Sequence, residues 1–531
     1  SLKTPPQLPF LLSSTPKNSL LQLPKILSSN SNKPMANLKS LLKDTAIYGI
    51  SSIATRFINY LLVPIETIAW ASSGGQYGII TNVYSYIGIL IIALTFGMET
   101  TFFRFANKEG EDARMVYSTA LRIVGAVALA FAVLVILFLN PIATFIGYGD
   151  HPWYIGSMAI CVAIDAWSCI MFDYLRYQHR PIKFATLKCL NIAINVALVA
   201  LFLIVFPLLR VNAFGIYDAN FIPDVGIVFY LNLVVSIITT LLLLKEMRGI
   251  TFGFDWAMCR RMLSYTWPML ILGVAGQLNQ SASTLIFPYF YDGSIQEARA
   301  QLGIYGSTIK IAMIMVIITQ AFRFAYEPFV FANKSADKKE TYAKVMKYYI
   351  IFTLLAFLCV IGYMDILRYV VAPDYWEGLK VIPIVMAAEI MFGIYFNLSF
   401  WYKLTDRTIW GAYFSGLGCV VLLLIDVLLI PRFSYMACAW AGFAAYGISM
   451  VASYLFGQKY YPVNYPLKDI FRYVLLTIIL FAGMSFANRQ WGSWPAMGFN
   501  TLLILLFVGV IIKRDLPLSE LPLIHGRRKA A

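Results

Sequence analysis

The reading of this chain turns on residues 44–66, DTAIYGISSIATRFINYLLVPIE. The stretch is long enough to cross a bilayer, which takes ~20 mostly apolar residues. It carries one charge near its middle, Arg56. At ~1.5 Å rise per residue, a helix here puts Arg56 ~15 Å from either end. Snorkelling to headgroups serves residues near helix ends, so Arg56 must face a protein interior or a wet cavity. Tyr48, Ser52, Thr55 and Asn59 fall with it at helical spacing, whereas Ile50, Ile53, Phe57 and Leu61 form the opposite, apolar side. The stretch thus predicts a membrane helix that shows a cation to a central, water-filled space.

Composition agrees. Of 531 residues, 60% are hydrophobic and 13% charged, and the mean hydropathy is +0.71. These values describe a polytopic membrane protein and exclude an ordinary soluble enzyme. The net charge of +15 would suggest nucleic-acid binding in a soluble chain; loop placement accounts for much of it here, so no nucleic-acid partner is expected. The seven cysteines form no Cys-x-x-Cys motif and the three histidines are scattered. Neither a disulfide framework nor a metal centre is indicated, and no cofactor is expected.

Apolar runs recur after the first. They lie near Gly78–Met98, Tyr117–Leu139, Trp153–Leu175, Phe184–Phe206, Gly226–Leu244, Tyr265–Phe287 and Gly303–Tyr326. Others follow near Val345–Tyr363, Val381–Tyr402, Ile409–Ile430, Tyr435–Phe456, Ile470–Phe486 and Ala496–Ile512. The expected fold class is therefore all-α, with about fourteen transmembrane helices. Basic residues sort onto alternate loops, about 28 on one side against about 6 on the other. The positive-inside rule then places both termini in the cytoplasm. The outer loops are short and leave no extramembrane catalytic domain, so an enzyme is not expected. Residues 1–34 precede the first methionine, Met35, contain no acid and are read as a disordered extension that is not native.

The chain also repeats itself. Gln76-Tyr77-Gly78-Ile79 returns as Gln301-Leu302-Gly303-Ile304, and Phe105-Ala106-Asn107-Lys108 returns as Phe331-Ala332-Asn333-Lys334, at an offset of about 225 residues. Six spans separate the copies. The expected division is an N-lobe over 35–245, a cytoplasmic linker over 246–262, a C-lobe over 263–458, and two additional spans with a basic tail over 459–531. Substrates of repeat-built transporters sit at the interface of the repeats near the midplane.

Six plus six plus two spans, the early Pro64-x-Glu66-Thr67, Gln76-Tyr77-Gly78 at the start of span two, and Gly97-Met98-Glu99 followed by Phe103-Arg104 resemble the polysaccharide transporter family. That family includes the Wzx-type oligosaccharide flippases of the multidrug/oligosaccharidyl-lipid/polysaccharide (MOP) exporter superfamily. The resemblance covers roughly residues 40–515. It implies a V-shaped, two-lobed transporter in the bacterial cytoplasmic membrane, working by alternating access, with spans one, two, seven and eight lining its cavity. The implied activity is flipping of an undecaprenyl-pyrophosphate-linked oligosaccharide for surface polysaccharide such as O-antigen. The implied partners are that lipid-linked substrate, membrane lipids, H+ or Na+ as coupling ion, and the polysaccharide polymerase machinery. A peptidoglycan lipid-precursor flippase and a multidrug cation antiporter of the same superfamily remain alternatives.

Site candidates follow. Arg56 is expected to anchor an anionic headgroup, since guanidinium stays charged and donates in a planar fork; a structural ion pair with another helix is the other reading. Asn59 shares its stripe. Gln277 and Gln280 in span seven are expected to meet sugar hydroxyls or a neighbouring helix, and Lys310 and Arg323 in span eight complete the substrate-binding set. Lys310 also fits a snorkelling residue, and Arg323 an ion pair with Glu327. Asp165 and Glu389 lie 224 residues apart on equivalent spans and are the candidate ion-coupling acids, or else neutral, hydrogen-bonded groups. Arg56, Asp165 and Glu389 are read as the charges too deep to snorkel.

Overall fold

The computed structural model describes residues 53–515 other than 56, 72–74, 109, 213–216, 218–220, 251–254, 333–337, 406 and 408. Arg56, the extension 1–34 and the basic tail beyond 515 therefore lie outside the described residues, as does much of the second copy of the Phe-Ala-Asn-Lys repeat. The described regular structure is helical apart from an isolated bridge between Tyr217 and Pro223.

We number the α-helices of eight residues or more. They are α1 Leu62–Ala69, α2 Gln76–Thr95, α3 Met98–Ala106, α4 Ala113–Leu137, α5 Pro152–Tyr177, α6 Pro181–Ala200, α7 Gly226–Leu243 and α8 Trp256–Phe290. After them come α9 Ile295–Ala312, α10 Ile314–Ala332, α11 Lys338–Gly362, α12 Ile382–Leu398, α13 Ile409–Phe433, α14 Tyr435–Tyr460, α15 Leu467–Gln490 and α16 Ser493–Arg514. Eleven helical stretches of the described residues are long and apolar enough to cross a membrane, and the pair α9–α10, bent by 43°, makes a twelfth. The two remaining expected spans have simple reasons for standing apart. The first begins in residues that are not described. The seventh, α8, is a continuous helix of 35 residues whose glutamines, asparagine and serines make it less apolar.

Local chemistry explains where several helices start and break. Asp112 accepts a hydrogen bond from the Arg114 amide at the head of α4, and Asp255 accepts from Ala257 and Met258 at the head of α8. Ser294 and Glu297 form a reciprocal capping box at the head of α9. Between α2 and α3 the backbone turns left-handed at Phe96 (φ 36°) and Gly97 (φ 76°), which divides span two into a long and a short helix.

Apart from the junction described below, helices pack mainly on partners from their own half of the chain, often not the next in sequence. α5 packs on α2, α4 and α7, with α6 beyond α7; α14 packs on α12 and α13, and α13 on α8. α15 and α16 pack on each other and on α11. Large apolar side chains such as Leu129, Leu137, Ile478, Ile479 and Leu505 are exposed on the outer faces of these helices, where hydrocarbon replaces water as solvent. The two halves of the chain meet where α2 packs along α8 and α9.

That junction is a contact of backbones. An ideal Cβ on Gly78 would lie 1.8 Å from the Arg299 carbonyl oxygen and 3.0 Å from the Gly303 nitrogen, and one on Gly306 would lie 2.0 Å from Thr81 Oγ1. Only glycine admits so close a crossing. Hydrogen bonds secure it: Asn82 donates to the Thr284 carbonyl (3.0 Å), Ser85 and Thr284 share a hydroxyl contact (2.6 Å), and Tyr148 donates to Asn82 (2.9 Å). Arg299 donates to the Gly147 carbonyl at 2.6 Å and stacks over Tyr148. At the other, basic end, α8 is also held: Arg261 pairs with Glu111 at 2.6 Å, Arg104 lies 4.1 Å from the Tyr265 ring centre, and Thr101 meets Thr266.

Candidate functional site: two cavities that share a wall

Below the glycine crossing lies a cavity of about 720 Å³. α1, α2, α8 and α9 line it, the set the family resemblance implies, and α5, α6 and α7 close its far wall. A second cavity of about 320 Å³ lies among α8, α9, α10, α12, α13 and α14. Gln280, Thr284, Ile309, Met313 and Val316 line both, so α8 and the bend at Met313 are the partition between them. The two expected acids take corresponding places. Asp165 lines the larger cavity and Glu389 the smaller.

The larger cavity is an ion-bearing, amide-rich space. Glu66, buried on α1, and Lys310 on α9 line it and act on each other electrostatically. Asp165 has Lys188 as its charged neighbour, and the Cys161 thiol lies 3.8 Å from its Oδ2. Along α6 and α7, Asn191 donates to Thr239 (2.7 Å) and Asn195 to Asn232 (3.1 Å), and Asn232 donates to the Tyr84 hydroxyl (2.6 Å). Groups of this kind bind hydroxyls and amides of a polar ligand once their own mutual bonds are exchanged.

The sequence-derived candidates are distributed as follows. Asn59, Gln280, Lys310 and Asp165 line the larger cavity; Gln280 also lines the smaller one, with Arg323 and Glu389. Arg323 lies 4.0 Å over the Phe396 ring; the side chain of Glu327 is outside the described residues. Gln277 is not among the lining residues of either cavity. Its amide donates to Ser281 at 2.8 Å, and a Cβ on Gly88 of α2 would lie 2.6 Å from it, so it packs helix to helix. Lys310 faces inward with Glu66.

Two residues that line the larger cavity, Lys188 and Glu66, and one acid behind the wall of the smaller, Asp426, do not stand out in the sequence. Lys188, which falls among loop cations in the chain, sits within α6 and lines the larger cavity. A signal is present: Lys188, Asn191 and Asn195 repeat at helical spacing. The set of deep charges also omits Asp426, in the apolar run LLLIDVLLI. The structure corrects this: Asp426 has no exposed surface, and Ser283 of α8 donates to its Oδ2 at 2.6 Å while Oδ1 has no partner. Glu66, which the sequence offers only as part of a motif, is the third.

No protein-family model matches the sequence, and no curated relative does. Solved structures do match. A lipid II flippase MurJ in an inward closed conformation superposes with a TM-score of 0.68 at 15% identity, over 88% of this chain and 99% of that one. An inward-facing multidrug resistance MATE transporter of the MOP superfamily gives 0.59 at 12% identity, over 77% and 97%. The fold is that of the MOP transporters. An outward-facing MATE structure of the superfamily matches less well, at 0.55 and 14% identity over 79% and 95% of the two chains.

Proposed function

We propose that this MOP-fold protein is a flippase that carries a lipid-linked, anionic oligosaccharide headgroup across the cytoplasmic membrane by alternating access. The observation that carries the reading is the larger cavity. It offers two lysines, Lys188 and Lys310, with the acids Asp165 and Glu66 as their neighbours, beside a wall of asparagines and hydroxyls. A pyrophosphate suits the lysines, and sugar hydroxyls suit the amides. Arg56, from its place in the first span, is proposed as the third cation. The comparison with the lipid II flippase also spans more of the chain than that with the multidrug transporter, 88% against 77%, as expected where the pair α15–α16 belongs to the shared fold. The lobe division at 246–262 and cytoplasmic termini complete the proposal.

In this scheme the lysines hold the headgroup, and separation at the glycine crossing opens the cavity to the far leaflet. Asp165 and Glu389, one per cavity, are proposed to couple the cycle to H+ or Na+. The test is genetic. Removal of the gene should leave lipid-linked sugar accumulating in the inner leaflet. Unchanged leaflet distribution, together with new sensitivity to cationic drugs, would favour the multidrug-antiporter reading.

A further inference from the structure

At the basic end of the larger cavity, α5 carries Cys161, Asp165, Cys169 and Asp173 at four-residue steps, on one face. The last two meet Glu99, the second residue of α3. One ligand atom from each of Glu99, Cys169 and Asp173 lies within 4.8 Å of the other two. Asp173 is only 2% exposed. Its Oδ1 accepts from Arg176 at 3.3 Å, but its Oδ2 is buried with no hydrogen-bond partner. Glu99 accepts from the same Arg176 Nη1 at 2.6 Å, and its side chain is 46% exposed, which leaves a path from solvent into the cluster.

We infer that Glu99, Cys169 and Asp173 form a binding site for a borderline-soft divalent cation of the zinc class. The donor set selects the ion. A thiolate disfavours magnesium and calcium, and carboxylates beside it suit zinc, cobalt or cadmium. Three protein ligands leave a fourth position for water. Tetrahedral coordination at ~2.0–2.3 Å places donors somewhat closer than they stand here, within reach of side-chain rotation. The buried Asp173 Oδ2 supplies the reason for a ligand, since an unpartnered carboxylate oxygen is costly to bury. Arg176 now satisfies one oxygen of each acid and stands as the cation a metal displaces; being 38% exposed, it has room to swing outward.

Occupancy has a structural consequence. Glu99 follows the left-handed break at Phe96–Gly97, so the ion ties the short helix α3 to α5 across that break. Binding would hold the basic end in the arrangement seen here and slow the cycle, making the metal an inhibitor of transport.

Cobalt titration of the purified full chain, stripped of metal, tests this directly. A thiolate–cobalt charge-transfer band should grow on titration, vanish in Cys169→Ser, a nearly isosteric change, and weaken strongly in Asp173→Asn. Zinc should abolish the band in the wild type and raise the melting temperature. Arg176→Gln should keep the band and tighten binding. Absence of the band in the wild type, its persistence in Cys169→Ser, or its loss in Arg176→Gln would overturn the site.

Discussion

Gly78 and Gly303, equivalent positions of the internal repeat, pack against each other where α2 crosses α9, with the Gly303 nitrogen 3.0 Å from where a Gly78 Cβ would stand. Equivalent residues of two repeats meet only near the axis that relates the repeats. The crossing therefore lies near that axis, at the place where α2 closes against α9.

A side chain at this crossing should pry α2 and α9 apart. Gly78→Val would clash with the Arg299 carbonyl and cost the closed arrangement about 1–3 kcal/mol, the usual range for overpacking. A cysteine placed at Thr81 should then react faster with impermeant reagents added from the side opposite the basic loops. Unchanged reactivity with a stable, inserted protein would show that the crossing is no gate.

Glu66 and Lys310 should be energetically coupled. Neutralising either alone leaves its partner uncompensated in the cavity, whereas Glu66→Gln with Lys310→Gln removes both charges. A double-mutant cycle on melting temperature in detergent should show a coupling of about 0.5–3 kcal/mol. Strict additivity would mean that the pair does not join the halves.

Much of the fold is legible in the sequence, because the hydrocarbon requirement writes itself as long apolar runs. The runs locate α4 and α12, and the repeated Gln-x-Gly-Ile locates the crossing. What stays hidden depends on distance in space. Glu66 gains its meaning from Lys310, and Asp426 from Ser283, 143 residues away. Lys188 reads as a loop cation since it follows other cations in sequence, although it sits on a helix face beside Asn191 and Asn195.

Ser283→Ala should strip Asp426 of its hydrogen bond and leave a buried acid unsatisfied, at a cost of about 1–3 kcal/mol. Restoration of the lost stability in Ser283→Ala with Asp426→Leu, measured as melting temperature, would identify the unsatisfied acid as the cause. No loss in the single variant would contradict the contact.

The C-terminal pair should loosen in acid. Burial pushes the Asp515 carboxyl up, but hydrogen bonds from Lys347 and Tyr473 outweigh it and hold the group below its ordinary value of 3.8. Lys347 also bonds Asp469 at 3.3 Å, and Arg514 bonds Asp469 at 2.6 Å. A carboxyl held low contributes stability that is present above its unfolded value and is lost as pH falls through the folded one. Asp515→Asn should therefore lower the melting temperature at neutral pH and cease to matter at pH well below the carboxylate range. An equal deficit at both pH values would show that packing, not charge, is what the residue supplies.

The larger cavity is proposed to carry an anionic lipid-linked sugar. Purified protein in liposomes, loaded with an undecaprenyl-pyrophosphate-linked oligosaccharide, measures this most directly through the leaflet in which the sugar becomes accessible. Transfer between leaflets should depend on the protein and drop at least tenfold in Lys188→Ala with Lys310→Ala, the loss of about 1.4 kcal/mol or more of headgroup binding. Transfer that is absent, or undiminished in a well-folded double variant, would contradict it.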